Sequence, residues 1–227
     1  TSDDPEALDI AMSCVHRLRN RIESLRGGKI EGRGFVLLIS SPFQGDGKTT
    51  IATLLGWSYA EAGYRTCMVD CDFIGRSLSH QFGKLHDVGL KEVLRDGHIT
   101  DQGIPLGNPN LNILPIGLDQ AINAEHMPLS MIQSLLSDLR SKFDLIIVDT
   151  GPLSGSIEST PIAGAVDGVL LTLRKGRSRL PLRRCVQELR DLGAPYLGVV
   201  LNYADKSDYR HFSSTSKSID DLLKEEA

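Results

Sequence analysis

The chain has 227 residues, 41% hydrophobic and 24% charged, with a net charge of -4; this is the balance of a folded globular protein, not a disordered one. The length is read most simply as one domain, and the mild negative charge gives no general attraction to nucleic acid or anionic lipid. No apolar run approaches bilayer length, no signal peptide opens the chain, and the four cysteines, Cys14, Cys67, Cys71 and Cys185, are too scattered for a disulfide framework. These features fit a reducing cytoplasm. The chain opens on Thr1 and not Met, which is compatible with a domain cut from a longer protein.

Leu8, Ala11, Val15, Leu18, Ile22 and Leu25 recur at three- and four-residue steps, predicting an amphipathic helix from Ala7 to Leu25 that ends near Gly27-Gly28. Phe35 to Ile39 is a short apolar run of strand formers. A glycine-containing turn follows, then a helical stretch from Thr49 to Ala62, stopped by Gly63. Thr66 to Val69 and Leu111 to Leu114 read as strands, Leu129 to Lys142 as a helix and Leu145 to Val148 as a strand. Val169 to Leu173, a helix from Pro181 to Leu192, and a strand from Gly198 to Leu201 complete the alternation. Near-continuous apolar strands between helices imply a sheet covered on both faces, hence an α/β fold with a doubly wound, mostly parallel sheet. Right-handed crossovers would then line the strand C-terminal ends along one edge.

Ser41-Pro42-Phe43-Gln44-Gly45-Asp46-Gly47-Lys48-Thr49-Thr50 lies between a strand and a helix. In that context Gln44, Gly45, Asp46, Gly47, Lys48, Thr49 and Thr50 are predicted to cradle ATP phosphates. The glycines let the backbone curl with its N–H groups inward, and the helix N-terminus adds its positive dipole end. Lys48 would reach the β- and γ-phosphates, and the Thr49 hydroxyl would ligate Mg²⁺. Pro42 stands where the strict motif has its first glycine. A Rossmann reading would need a third glycine where Thr50 stands, and it is rejected.

Val69-Asp70-Cys71-Asp72 closes the second strand, with Arg76 close behind. Alternation points Asp70 and Asp72 the same way, toward the edge carrying the loop. Two carboxylates beside a triphosphate suit Mg²⁺ coordination, and one could accept a hydroxyl proton; the bland alternative is capping of the next helix. Ile146-Ile147-Val148-Asp149 ends another buried strand and has the form of a Walker B element, with Asp149 holding the metal's water shell. Cys67 and Cys71 are read as small apolar packers, and the six histidines show no metal-ligand spacing.

These stretches, followed by Thr150-Gly151-Pro152, resemble the Walker A, A′ and B motifs of bacterial tyrosine kinases, the cytoplasmic domains associated with capsule and exopolysaccharide chain-length regulators. The likeness runs from about Val15 to Asn202, through Val166-Asp167-Gly168 and Leu197-Gly198-Val199-Val200-Leu201-Asn202. Wider relatives are partitioning and cell-division ATPases of the deviant Walker A class, whose signature lysine is Phe43 here. The resemblance implies a P-loop NTPase fold and transfer of the ATP γ-phosphate to a tyrosine hydroxyl, with Mg²⁺ as cofactor. It assigns Lys48, Asp70 and Asp72 to catalysis, Thr49, Asp72 and Asp149 to the metal, and Asn202 to adenine contact. Asp70 is the residue expected to orient or deprotonate the acceptor. Implied partners are a protein substrate, a membrane-bound polysaccharide chain-length regulator at the inner face of the cell membrane, and further copies of the chain.

The chain departs from the family pattern at three places. The C-terminal segment has one tyrosine, Tyr209, where the family has a cluster. Ser13, His16 and Arg19 stand where a ring-forming helix would carry Glu, Arg and Arg. Gly151 replaces the proline expected after Asp149-Thr150. These departures keep two alternatives in view, an ATP-dependent switch ATPase and a degenerate nucleotide-binding regulator of polysaccharide export. The expected organisation is an N-terminal helix over residues 1–30, an ATP-binding kinase-like unit over 31–205, and a polar tail over 206–227. Arg174, Lys175, Arg177, Arg179, Arg183 and Arg184 form a basic stretch without aromatic interleaving, so no nucleic acid partner is expected.

Overall fold

A computed structural model describes residues 5–26, 33–96, 103–122, 124–126, 128–205 and 208. Apart from Asp208, the polar tail, Tyr209 included, lies outside the described residues. Seven strands form one sheet: β1 (Phe35–Ser40), β2 (Thr66–Asp70), β3 (Ile104–Leu106), β4 (Asn108–Leu114), β5 (Leu145–Asp149), β6 (Gly168–Arg174) and β7 (Tyr196–Asn202). Their spatial order is β3-β4-β2-β5-β1-β6-β7, parallel throughout except for the β3–β4 pair at one edge. The helices are α1 (Pro5–Leu25), α2 (Lys48–Glu61), α3 (Ser77–Gln81), α4 (Leu90–Asp96), α5 (Leu129–Lys142), α6 (Ser159–Ala163) and α7 (Leu180–Asp191).

The central strands are mostly apolar up to their polar C-terminal ends because both faces are covered. Val36 and Leu38 of β1 point into a core shared with α4, α5, α6 and α7, while Leu37 and Ile39 point into one shared with α1, α2 and α3. α1 enters the second core through Val15 and Ile22. His16 Nδ1 lies 2.8 Å from Ser58 Oγ, and Arg19 donates to the Ser58 carbonyl at 2.7 Å, so both residues tie α1 to α2 within the chain. Cys67, Cys71 and Cys185 are buried free thiols. No helix among the described residues is long and apolar enough to cross a membrane.

At the N-terminal edge of the sheet, Asp167 accepts from the Val36 N–H at 2.8 Å and pairs with Arg140, whose guanidinium also donates to the Gly34 carbonyl at 2.8 Å. This clamp joins α5 to the entries of β1 and β6, far from the phosphate loop. Arg140→Met would keep the apolar stem but leave the Asp167 carboxylate without its main partner. We expect a loss of about 3 kcal/mol in unfolding free energy, a fall in Tm of roughly 10 °C, with nucleotide affinity at 20 °C unchanged. Thermal unfolding and calorimetric titration read the two separately.

Candidate active site

The crossover pattern brings the C-terminal ends of β1, β2 and β5 side by side, with Ile39 in register with Asp149 and Asp149 with Asp70. The loop between β1 and α2 fills this edge. Gly45 and Gly47 have φ of 82° and 90°, left-handed values that curl the backbone around its own N–H groups. Gly47 is also forced by space: a Cβ there would lie 1.9 Å from Asn202 Nδ2. Asn202 uses that clearance to donate to the Asp46 carbonyl at 3.1 Å, bracing the loop from the end of β7. α2 begins at Lys48 with neither a side-chain cap nor an acidic residue in its first turn. Its orphan N–H groups and dipole therefore face the loop, which is what an anion site requires.

Lys48 is 7% exposed and sits within the field of Asp149. Gln44, Gly45 and Thr50 are exposed at the lip of the loop. Asp46 is buried and structural, since one oxygen accepts from the Phe43 N–H at 3.3 Å. Its other oxygen faces Arg177 Nε at 3.8 Å, and the Arg177 guanidinium stands 5.2 Å from the centroid of the Phe43 ring. The basic stretch is thus partly committed within the chain. Arg174 stacks on Tyr203 at 4.5 Å, and Lys175 pairs with Asp205 and Asp208 at 2.7 and 2.6 Å.

Thr49 Oγ1 donates to Asp149 Oδ2 at 2.6 Å, joining the start of α2 to the end of β5. The other Asp149 oxygen is buried with no hydrogen bond. Burial, with Asp70 and Asp72 nearby, pushes the Asp149 pKa up to about 7, against the lowering effects of Thr49 and Lys48. A hydroxyl, an orphaned carboxylate oxygen and an adjacent phosphate cradle are hard oxygen donors, and they fit Mg²⁺. No group of three ligating side chains converges among the described residues. That suits an ion held by one or two protein oxygens, with phosphate and water completing its octahedron.

Asp70 and Asp72 do not share one environment. β2 ends at Asp70, so strand alternation no longer governs Asp72. Asp70 is fully buried: Oδ2 accepts from the Ser79 N–H and hydroxyl at 2.7 and 2.6 Å, and Oδ1 from the Asp72 N–H at 3.1 Å. It holds α3 against the sheet, the capping alternative weighed from the sequence. Asp72 is partly exposed, with Oδ1 accepting from Gly75 N–H at 2.7 Å. Of the two carboxylates, Asp72 is the one open to solvent. Arg76 is exposed, at φ 49°, and caps α3. Glu158, at the start of α6, is a buried carboxylate in the field of Asp72 that the sequence reading did not single out. It sits in a loop without periodicity, and only the departure at Gly151 marks the spot.

A strand–loop–helix phosphate cradle at the switch region of a parallel sheet, with an aspartate closing the neighbouring strand, defines a P-loop NTPase. The chain belongs to the ParA family of P-loop NTPases, whose model, described as NUBPL iron-transfer P-loop NTPase, matches residues 34–216. It is 30% identical over 190 residues to the tyrosine-protein kinase CpsD of Streptococcus pneumoniae serotype 4, covering 81% of this chain and 80% of that one. The kinase domain of the Escherichia coli tyrosine kinase ETK superposes with a TM-score of 0.78 at 22% identity, over 92% of this chain and 79% of that chain. An ATP complex of a variant of the Cyanothece protein McdA superposes with a TM-score of 0.62 at 24% identity, over 79% of this chain and 77% of that chain. The matches to ETK and McdA speak for the fold.

Proposed function

We propose that the chain is an ATP-dependent protein-tyrosine kinase of capsule or exopolysaccharide synthesis. The observation that carries this reading is the Thr49–Asp149 contact beside Lys48, which assembles phosphate and metal groups from two distant segments. Lys48 and the amides of the loop hold the β- and γ-phosphates, and Thr49 and Asp149 hold the metal. A bound Mg²⁺ ion supplies neutralisation of the charge that develops on the γ-phosphate. Asp72, the carboxylate left partly open to solvent, orients the acceptor hydroxyl and takes its proton. Asn202 braces the loop through the Asp46 carbonyl, and its proposed role is contact with the adenine.

A protein acceptor is favoured by the rim. Ile74 after β2, Leu118 after β4 and Ile157 after β5 are all exposed apolar residues in loops that leave this edge of the sheet. Such side chains offer contact to a peptide surface more than to a sugar. The kinase would work at the cytoplasmic face of the membrane beside a chain-length regulator, with neighbouring copies as acceptors.

The test is incubation with Mg·ATP, read by phosphotyrosine blotting and phosphosite mass spectrometry. Phosphotyrosine is expected in wild type and absent in a Lys48→Ala control. Tyr209→Phe is expected to remove the self-phosphorylation signal, since Tyr209 is the one tyrosine of the C-terminal segment. Nucleotide binding without phosphotyrosine, on itself or on a tyrosine-rich protein substrate, would sink the kinase reading in favour of a nucleotide switch.

A further inference from the structure

Gly151 follows Asp149-Thr150 at the end of β5, and its lack of a side chain is put to use. A Cβ at this position would lie 1.8 Å from Ser156 Oγ and 3.2 Å from Glu158 Oε1. Ser156 and Glu158 therefore occupy the volume that a larger residue would fill. Burial raises the Glu158 pKa, a rise that the Ser156 hydroxyl and the Gly151 N–H, which a proline would lack, only partly oppose. Glycine at 151 thus supplies the space for the Ser156 hydroxyl, with the Glu158 carboxylate close beside it.

That side chain is 1% exposed, and Oε1 takes no hydrogen bond. A buried carboxylate oxygen without a donor is costly, so its retention calls for an occupant. Glu158 Oε1 stands beside Gly151, two residues past Asp149, which is itself in register with Asp70, two residues before Asp72. Two of the four, Asp149 and Glu158, carry an orphaned oxygen. The acceptor hydroxyl of a protein cannot reach a group this deeply buried, whereas water can. Mg²⁺ keeps several of its waters, and these are strong hydrogen-bond donors.

We infer that Glu158 is an outer-sphere positioning residue for the nucleotide's metal, its free oxygen accepting from a metal-bound water beside the turn at Gly151. This rests on the reading of the site given above. Glu158 touches neither phosphate nor acceptor; it orients the ion's water shell, and its removal weakens the metal more than the nucleotide.

The experiment is calorimetric titration of the full chain with the non-hydrolysable analogue AMPPNP, in Mg²⁺ and again in EDTA, alongside Mn²⁺ titration of the nucleotide complex followed by electron paramagnetic resonance. Glu158→Gln is expected to cut Mn²⁺ affinity, and the Mg²⁺-dependent gain in AMPPNP affinity, by roughly 10- to 100-fold while leaving the EDTA value as in wild type. A merely structural glutamate would move both values together or neither. Unchanged metal dependence in Glu158→Gln overturns the inference. If that variant does not fold, Ser156→Ala takes its place, with a several-fold loss in the same ratio expected and an unchanged ratio overturning the inference. Absence of Lys48-dependent nucleotide binding in wild type would instead overturn the reading of the site, and this inference with it.

Discussion

Replacing Lys48 by alanine is expected to weaken ATP binding by roughly 10- to 100-fold and to lower phosphoryl transfer by roughly a thousandfold. The two figures differ for a physical reason. In the bound ground state Lys48 contributes charge-assisted hydrogen bonds to phosphates that the loop amides and the α2 N-terminus also hold. In the transition state, charge gathers on the transferring group, and a lysine only 7% exposed meets it with little water to weaken the attraction. Lys48→Met serves as the companion variant, because it keeps the stem that fills the space beneath the loop. Comparable Tm values for Lys48→Met and wild type, with binding and turnover both lost, would isolate the charge. Retention of turnover in Lys48→Met would remove Lys48 from the mechanism. The readouts are calorimetric titration with ATP and single-turnover transfer of labelled phosphate.

The second large effect is expected at Asp149, where function and stability should move in opposite directions. Asp149→Asn retains an oxygen to accept from Thr49, so the 2.6 Å link between α2 and β5 can persist. It removes the negative charge that holds the metal, and Mg²⁺-dependent transfer is expected to fall by roughly a thousandfold. The ligand-free protein should become more stable at neutral pH, because burying the ionised carboxylate is unfavourable. The sign of the pH dependence follows from the raised pKa. The folded state holds the Asp149 proton more tightly than the unfolded chain, so this contribution is complete below the ordinary value of 3.8 and is lost as pH rises through about 7. Asp70 and Glu158, also raised by burial, slope the same way. Ligand-free wild type should therefore lose stability from about pH 4 to pH 7, and Asp149→Asn should show a shallower slope. Denaturant unfolding at pH 5 and pH 7.5 measures it, and parallel slopes in the two proteins would refute the assignment. Protons and Mg²⁺ compete for the same oxygen, so Mg·ATP should stabilise wild type more at pH 8 than at pH 5.

Local order decided what could be read in advance. The Phe35–Ser40, Thr66–Asp70 and Leu145–Asp149 strands are buried on both faces, and an unbroken apolar run records that directly. The glycine turn before α2 is a local signal as well, because its left-handed angles and the lysine that follows are neighbours in the chain. Helices α3, α4 and α6 have no predicted ranges; with five, seven and five residues they are too short for a 3.6-residue period to show. Strand β3, three residues around Pro105 at the sheet edge, was missed for the same reason. It pairs antiparallel with β4 and adds no alternation of its own.

The sequence alone therefore determined the layered α/β fold, the phosphate loop with Lys48 and Thr49, and Asp149 at the end of a buried strand, because each is written in consecutive residues. Tertiary structure alone decided how the carboxylates divide their work. Asp70 is drawn inward by Ser79, nine residues on, and Asp72 is left toward solvent because the strand stops before it. The Ser156 hydroxyl packs against the turn after β5 only because Gly151 carries no side chain. Asn202 meets Asp46 across 156 positions of chain, and the Thr49–Asp149 bond spans 100. Such pairings depend on strand order and side-chain clearance in three dimensions. No local pattern of hydrophobicity or propensity encodes either, and so the donors of the site were visible singly but not their arrangement.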